Sequence, residues 1–183
     1  LKLAKIDLLI NNAAIDAVPF FSKNISGNNL NTENWIKEFK VAIVGSNLMI
    51  NMFKNKMAKY KSGSIINIGS DLSVISPNQS IYKSHFGNYN KPASYSVMKH
   101  GLLGLTKYYA TLFAKNGIKV NMVSPAPIEN PKNILSKEIK KLIPSNKLTK
   151  ISDVLETLYF LSSSETQNLT GQNILIDGGR SII

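Results

Sequence analysis

Tyr95 and Lys99 stand four residues apart in Tyr95-Ser96-Val97-Met98-Lys99, and Ser70 lies upstream of them. On a helix this spacing puts a phenol and an ammonium on one face, their Cβ atoms about 5–6 Å apart. An ammonium beside a phenol favours the tyrosinate, so the pair is a device for moving a proton near neutral pH. Such pairs are also ordinary features of helix surfaces, and the chemistry depends on what surrounds this one.

Its surroundings are three more segments in a fixed order. Asp7-Leu8-Leu9-Ile10-Asn11-Asn12-Ala13-Ala14 is a short apolar run ending in Asn-Asn-Ala, and Gly63-Ser64-Ile65-Ile66-Asn67-Ile68-Gly69-Ser70 is another that ends in a hydroxyl. After Tyr95 and Lys99 come Leu169-Thr170-Gly171-Gln172 and Ile174-Leu175-Ile176-Asp177-Gly178-Gly179. In order and rough spacing the four segments resemble the short-chain dehydrogenase/reductase family, over nearly the whole chain.

The resemblance implies an NAD- or NADP-dependent oxidoreductase that interconverts a carbonyl and a secondary alcohol. Tyr95 matches the family's general acid/base. Lys99 matches the lysine that favours the tyrosinate and holds the nicotinamide ribose. Ser70 matches the serine that hydrogen-bonds the substrate oxygen. Asn12 and Ala13 match contacts beside the adenosine ribose. Pro125-Ala126-Pro127-Ile128 falls where the family has Pro-Gly-x-Val/Ile, and Ile128 then matches the contact to the nicotinamide carboxamide.

Three departures stand out. The family's Gly-rich phosphate loop is absent. The position at which the family keeps a relay asparagine on its long central helix, counted from Trp35, is Ala42. The interval from Ser70 to Tyr95 is longer than usual, so 74–92 reads as an insertion. It is polar and aromatic, and an ordered lid over substrate is expected there. A long segment of this kind resembles members linked to bacterial surface-sugar or flagellin-glycan biosynthesis, which implies a carbohydrate-derived substrate. Extended epimerases and dehydratases share Tyr-x-x-x-Lys but carry a larger C-terminal substrate domain, and the enoyl reductase branch spaces the two residues more widely. The alternative reading, motivated by the missing loop and Ala42, is a catalytically inactive truncated chain or a partner subunit of a homologous oligomer.

The elements that must position these residues follow from periodicity. The expected fold class is α/β, a Rossmann-like doubly wound parallel sheet with its first third missing, and 1–183 is read as one domain incomplete at its N-terminus. Short apolar runs without alternation predict buried strands at 6–10, 64–68, 118–123 and 174–176. Steps of three and four through Trp35, Phe39, Ala42, Ile43, Ser46, Ile50, Phe53 and Met57 predict one long helix, with Asn31 or Thr32 as its N-cap. A second helix follows Pro92 and ends at Gly117, with Gly101 and Gly104 permitting close helix packing. A flap is expected over 134–143. The last helix is expected to start with Ser152-Asp153 as its cap and to bury Val154, Leu155, Leu158 and Leu161. The stretch 15–29 reads as loop, and Asp71 as a turn residue without chemistry.

Composition narrows the classes. Of 183 residues 43% are hydrophobic, as in a globular core. No cysteine is present, which excludes disulfides and thiolate metal sites. Net charge is +11, yet Arg180 is the only arginine and the lysines are spread along the chain, so nucleic acid is not expected as a partner. No run approaches the roughly 18 apolar residues of a membrane span. A small-molecule substrate, no metal, a homo-dimer or homo-tetramer and a cytoplasmic location are the remaining expectations.

Overall fold

The computed structural model describes residues 4–15, 32–86 and 89–183. The strands are β1 (Leu8–Asn11), β2 (Gly63–Ile68), β3 (Ile118–Pro125) and β4 (Asn173–Ile176). The helices are α1 (Thr32–Phe39), α2 (Ser46–Lys59), α3 (Gln79–Phe86), α4 (Ala93–Phe113), α5 (Ser136–Lys141) and α6 (Ile151–Ser162). The strands form one parallel sheet in the order β1-β2-β3-β4. Leu9 pairs with Ile65, Ile65 with Val120, and Val123 with Ile174. All carboxyl ends therefore lie along one edge, where open α/β sheets bind ligands.

Alternation along the strands divides the core. On one face Leu9, Ile65 and Val120 pack with Ile50 and Met57 of α2 and Tyr109 and Phe113 of α4. On the other, Ile66 and Val123 pack with Val154 and Leu161 of α6. Each fully buried aliphatic side chain contributes about 1.5–3 kcal/mol relative to exposure. α6 packs over β2, β3 and β4, and on that face of β1 Leu8 and Ile10 stay 40% and 39% exposed.

The predicted long helix carries a break. Between α1 and α2 the backbone widens into a π-helical turn, Lys40–Gly45. The Ser46 hydroxyl donates to the Ala42 carbonyl at 2.7 Å, while the Ser46 amide reaches Ile43 instead. A hydroxyl bonded back four residues bends helices, and a π turn takes in one extra residue. The stripe downstream holds: Ala42, Ser46, Ile50 and Met57 are buried. Upstream it has rotated, leaving Phe39 exposed and Glu38 buried, with Glu38 Oε2 lacking a hydrogen-bond partner among the described residues. Of the two cap candidates, Asn31 lies outside the described residues, as does most of the loop expected over 15–29, and Thr32 is already helical.

Other expectations need adjustment. The insertion is not all loop: its residues 79–86 form α3. Ile81 of α3 packs with Leu135, Ile139 and Ile143 around α5, so insertion and flap share one small core. α6 begins at Ile151, and Asp153 accepts from the Lys150 amide at 3.1 Å, so Asp153 caps from inside the helix and Ser152 does not cap it. Leu155 is exposed rather than buried. A Cβ on Gly101 would meet Ile43 at 3.3 Å, whereas one on Gly104 would meet nothing within 4 Å, so only Gly101 serves close packing. Gly117 ends the α4 segment in the left-handed region at φ 70°, as its position predicts.

Candidate active site

Ser70 follows β2 in extended backbone (φ −165°, ψ 157°) and opens a tight turn over Asp71–Ser73. Its hydroxyl donates to Asp71 Oδ1 at 2.9 Å and accepts from the Leu72 amide at 3.2 Å. A serine has one donor and two acceptor positions. In this arrangement Ser70 can accept from a substrate hydroxyl, and must release Asp71 to donate to a carbonyl.

Asp71 carries more than a turn. It is 1% exposed, and Arg180 Nη1 donates to its Oδ2 at 2.6 Å. Burial pushes the Asp71 carboxyl above the usual carboxylate range, against the opposing pull of Arg180, the Ser70 hydroxyl and the Leu72 amide. Arg180 comes from the turn after β4, where Gly178 and Gly179 adopt φ 62° and 91°. Asp177 shapes that turn by accepting from the Gly179 and Ser181 amides at 3.0 and 2.8 Å. Burial alone would raise its pKa; these bonds and the Ser181 hydroxyl bring it below the usual value.

Tyr95 and Lys99 lie in the first turns of α4, which starts directly after Pro92. Lys99 is 6% exposed, and its ammonium donates to the Ile68 carbonyl, two residues before Ser70, at 3.1 Å. The same ammonium lies 5.6 Å from the Tyr95 ring centroid. Lys99 therefore joins the strand end that carries Ser70 to the helix that carries Tyr95. A second ammonium, Lys91, stands 4.1 Å from the Tyr95 centroid and is 8% exposed.

A buried polar ladder ties the neighbouring strand to this frame. Asn11 donates to Asn67 at 2.8 Å, Asn67 to the Thr106 hydroxyl at 2.8 Å, and Thr106 to the Leu102 carbonyl at 2.8 Å. Asn12 and Ala13, just past β1, are exposed. Ile128, past β3, is 37% exposed and bridges Thr149. Asn12, Ala13, Lys99 and Ile128 are thus set along one sheet edge from β1 to β3. With strands about 4.8 Å apart this suits an extended dinucleotide. Ala42 replaces any relay side chain, and its carbonyl is taken by Ser46. Asn47 and Asn51 turn to the Tyr109 hydroxyl instead, with Asn51 donating to it at 2.6 Å. His100 is exposed and bonds within its own helix.

Two residues here escaped the sequence reading. Asp71, expected as a turn residue without chemistry, is paired with the sole arginine of the chain. Lys91 precedes Tyr95 by the interval at which Lys99 follows it, which was a visible signal. Among the described residues no group of His, Asp and Glu could hold a metal ion, and no helix is long and apolar enough to cross a membrane.

A four-stranded parallel sheet flanked by helices, with Lys99 linking the helix of Tyr95 to the carboxyl end of β2, defines a Rossmann-like α/β protein. The family model described as enoyl-(acyl carrier protein) reductase matches residues 2–181. The 3-oxoacyl-(acyl-carrier-protein) reductase FabG of Thermotoga maritima is 30% identical over 97% of this chain and 67% of its own length. A short-chain dehydrogenase of Leptospira borgpetersenii, solved with bound NAD+, is 29% identical with a TM-score of 0.82, over 96% of this chain and 65% of that one. The structure of ElxO with NADP bound is 27% identical with a TM-score of 0.78, over 100% of this chain and 70% of that one. The chain belongs to the short-chain dehydrogenase/reductase family, and it spans about two thirds of the length of the curated relatives it matches.

Proposed function

We propose that the chain is the catalytic portion of an NAD- or NADP-dependent oxidoreductase that interconverts a carbonyl and a secondary alcohol. The observation that carries this reading is the buried Lys99 ammonium, bonded to Ile68 beside Ser70 and facing the Tyr95 ring. Tyr95 gives or takes the substrate proton, with Lys99 favouring its ionised form. Ser70 orients the substrate oxygen, its own hydroxyl aimed by Asp71. Asn12, Ala13, Lys99 and Ile128 would hold the nicotinamide cofactor, which when bound supplies or accepts the hydride. The α3–α5 unit excludes water from the substrate.

A finer reading takes the substrate as carbohydrate-derived, supported by the polar and aromatic insertion. Exposed Leu48 and Met52 on α2 and Tyr108 and Leu112 on α4 support a homo-dimer or homo-tetramer built on those helices. Ala42 at the relay position favours a second reading, an inactive chain acting as partner subunit.

Titration calorimetry with NADH and with NADPH, on this chain and on a version extended upstream, tests the proposal. Binding by the extended version supports the enzyme. Binding by neither sinks it and leaves the partner-subunit reading.

A further inference from the structure

Lys91 is a cation in an unusual place. It precedes Pro92, so it is not on α4 and approaches Tyr95 from the end of the insertion. Its backbone is fixed by one side chain: the Lys91 amide donates to Gln79 Oε1 at 2.9 Å, and Gln79 Nε2 donates to the Lys91 carbonyl at 3.2 Å. This two-point clasp closes the insertion on itself. It leaves the Lys91 ammonium 4.1 Å from the Tyr95 centroid, nearer than Lys99 at 5.6 Å.

A neutral phenol ring offers the Lys91 ammonium its quadrupole. A tyrosinate spreads a full negative charge over oxygen and ring, so the same contact strengthens as the proton leaves. Among the described residues the other buried charges on elements packed against α4 are Asp71, paired with Arg180; Lys119, bonded to Leu161, Ser163 and Thr166; and Glu38 of α1. Lys83 and His85 of the insertion are exposed.

We propose that Lys91 is a positioning residue for Tyr95, its clasped ammonium stabilising the tyrosinate together with Lys99. This rests on the reading of Tyr95 as the proton-transfer group. It also couples the insertion to the chemistry, because the segment that covers the substrate carries the second cation.

The test is the near-ultraviolet tyrosinate absorbance of this chain as pH is raised, with Tyr95→Phe subtracted to isolate Tyr95. It needs no cofactor and no turnover. In Lys91→Met the Tyr95 titration moves up by about one pH unit or more, and Lys91→Arg restores it. Gln79→Ala keeps the charge but frees its backbone, and moves the titration part of the way. Circular dichroism confirms that each variant is folded; should Lys91→Met fail to fold, Lys91→Arg and Gln79→Ala still decide. If Lys99→Met shifts Tyr95 while Lys91→Met and Gln79→Ala do not, this proposal is overturned and the proposed function stands. If no lysine variant moves Tyr95, both are overturned.

Discussion

Around Ser70 the charges cancel. The carboxylate of Asp71, which accepts the serine hydroxyl, is met by Arg180 at 2.6 Å, and all three residues are buried. Around Tyr95 they add: two ammoniums, Lys91 and Lys99, face one ring. The difference follows from what each residue does. In the proposed mechanism Ser70 gains or loses no charge and needs a fixed direction, which a neutralised pair supplies at no cost in net field. In the mechanism proposed above Tyr95 is an anion for part of the cycle, and ammonium groups beside its ring favour that state.

The largest expected effect breaks the neutral side. Arg180→Met strands a buried carboxylate and should cost about 3–5 kcal/mol of stability, read by chemical denaturation. Adding Asp71→Asn should recover much of that loss, because the penalty comes from the unpaired charge. No recovery would mean that Arg180 acts mainly by packing. On the charged side, Tyr95→Phe in a version that turns over should lower kcat by about 10²–10⁴-fold and leave the fold unchanged by circular dichroism. Undiminished turnover would remove Tyr95 from the mechanism.

Smaller effects sharpen the contrast. Asp71 binds its proton more tightly folded than unfolded. Its contribution to stability is full below the ordinary Asp range and falls away as pH rises through its raised value. Asp177 is held low, so its contribution is present above the ordinary range and is lost as pH falls through its lowered value. Denaturation midpoints across pH should therefore lose their decline on the alkaline side of the Asp range in Asp71→Asn, and their decline on the acid side in Asp177→Asn. An unchanged profile in Asp71→Asn would contradict the burial argument. The smallest effect is Gln79→Ala, about 1 kcal/mol for a partly exposed hydrogen-bonded pair, seen as faster local exchange of the Lys91 amide. Equal exchange would mean that the clasp does not hold Lys91.

The strand frame was legible because a buried parallel strand writes itself as an unbroken apolar run, and 64–68 and 118–123 fall inside β2 and β3. That Lys99 would stand beside Tyr95 was legible because four residues make one helical turn, and the pair sits on α4 as expected. What escaped was non-local or aperiodic. Asp71 and Arg180 are 109 positions apart, and nothing near either one announces the other. The π turn defeats a reading that assumes 3.6 residues throughout, which is how Phe39 and Glu38 exchanged places. α3 is two turns long and is held by packing of Ile81 on Leu135, Ile139 and Ile143, so its own sequence carries little signal.

The Gln79 clasp bears on how such an enzyme can change its substrate. With the Gln79 side-chain amide bonded to both the amide and the carbonyl of Lys91, the segment between them is closed at its base like an exchangeable cassette. Closing a longer one costs only a logarithmic increment of entropy, about 0.6 kcal/mol per doubling of length. New recognition surface can therefore be tried inside the cassette while Pro92, Tyr95 and the start of α4 keep their places.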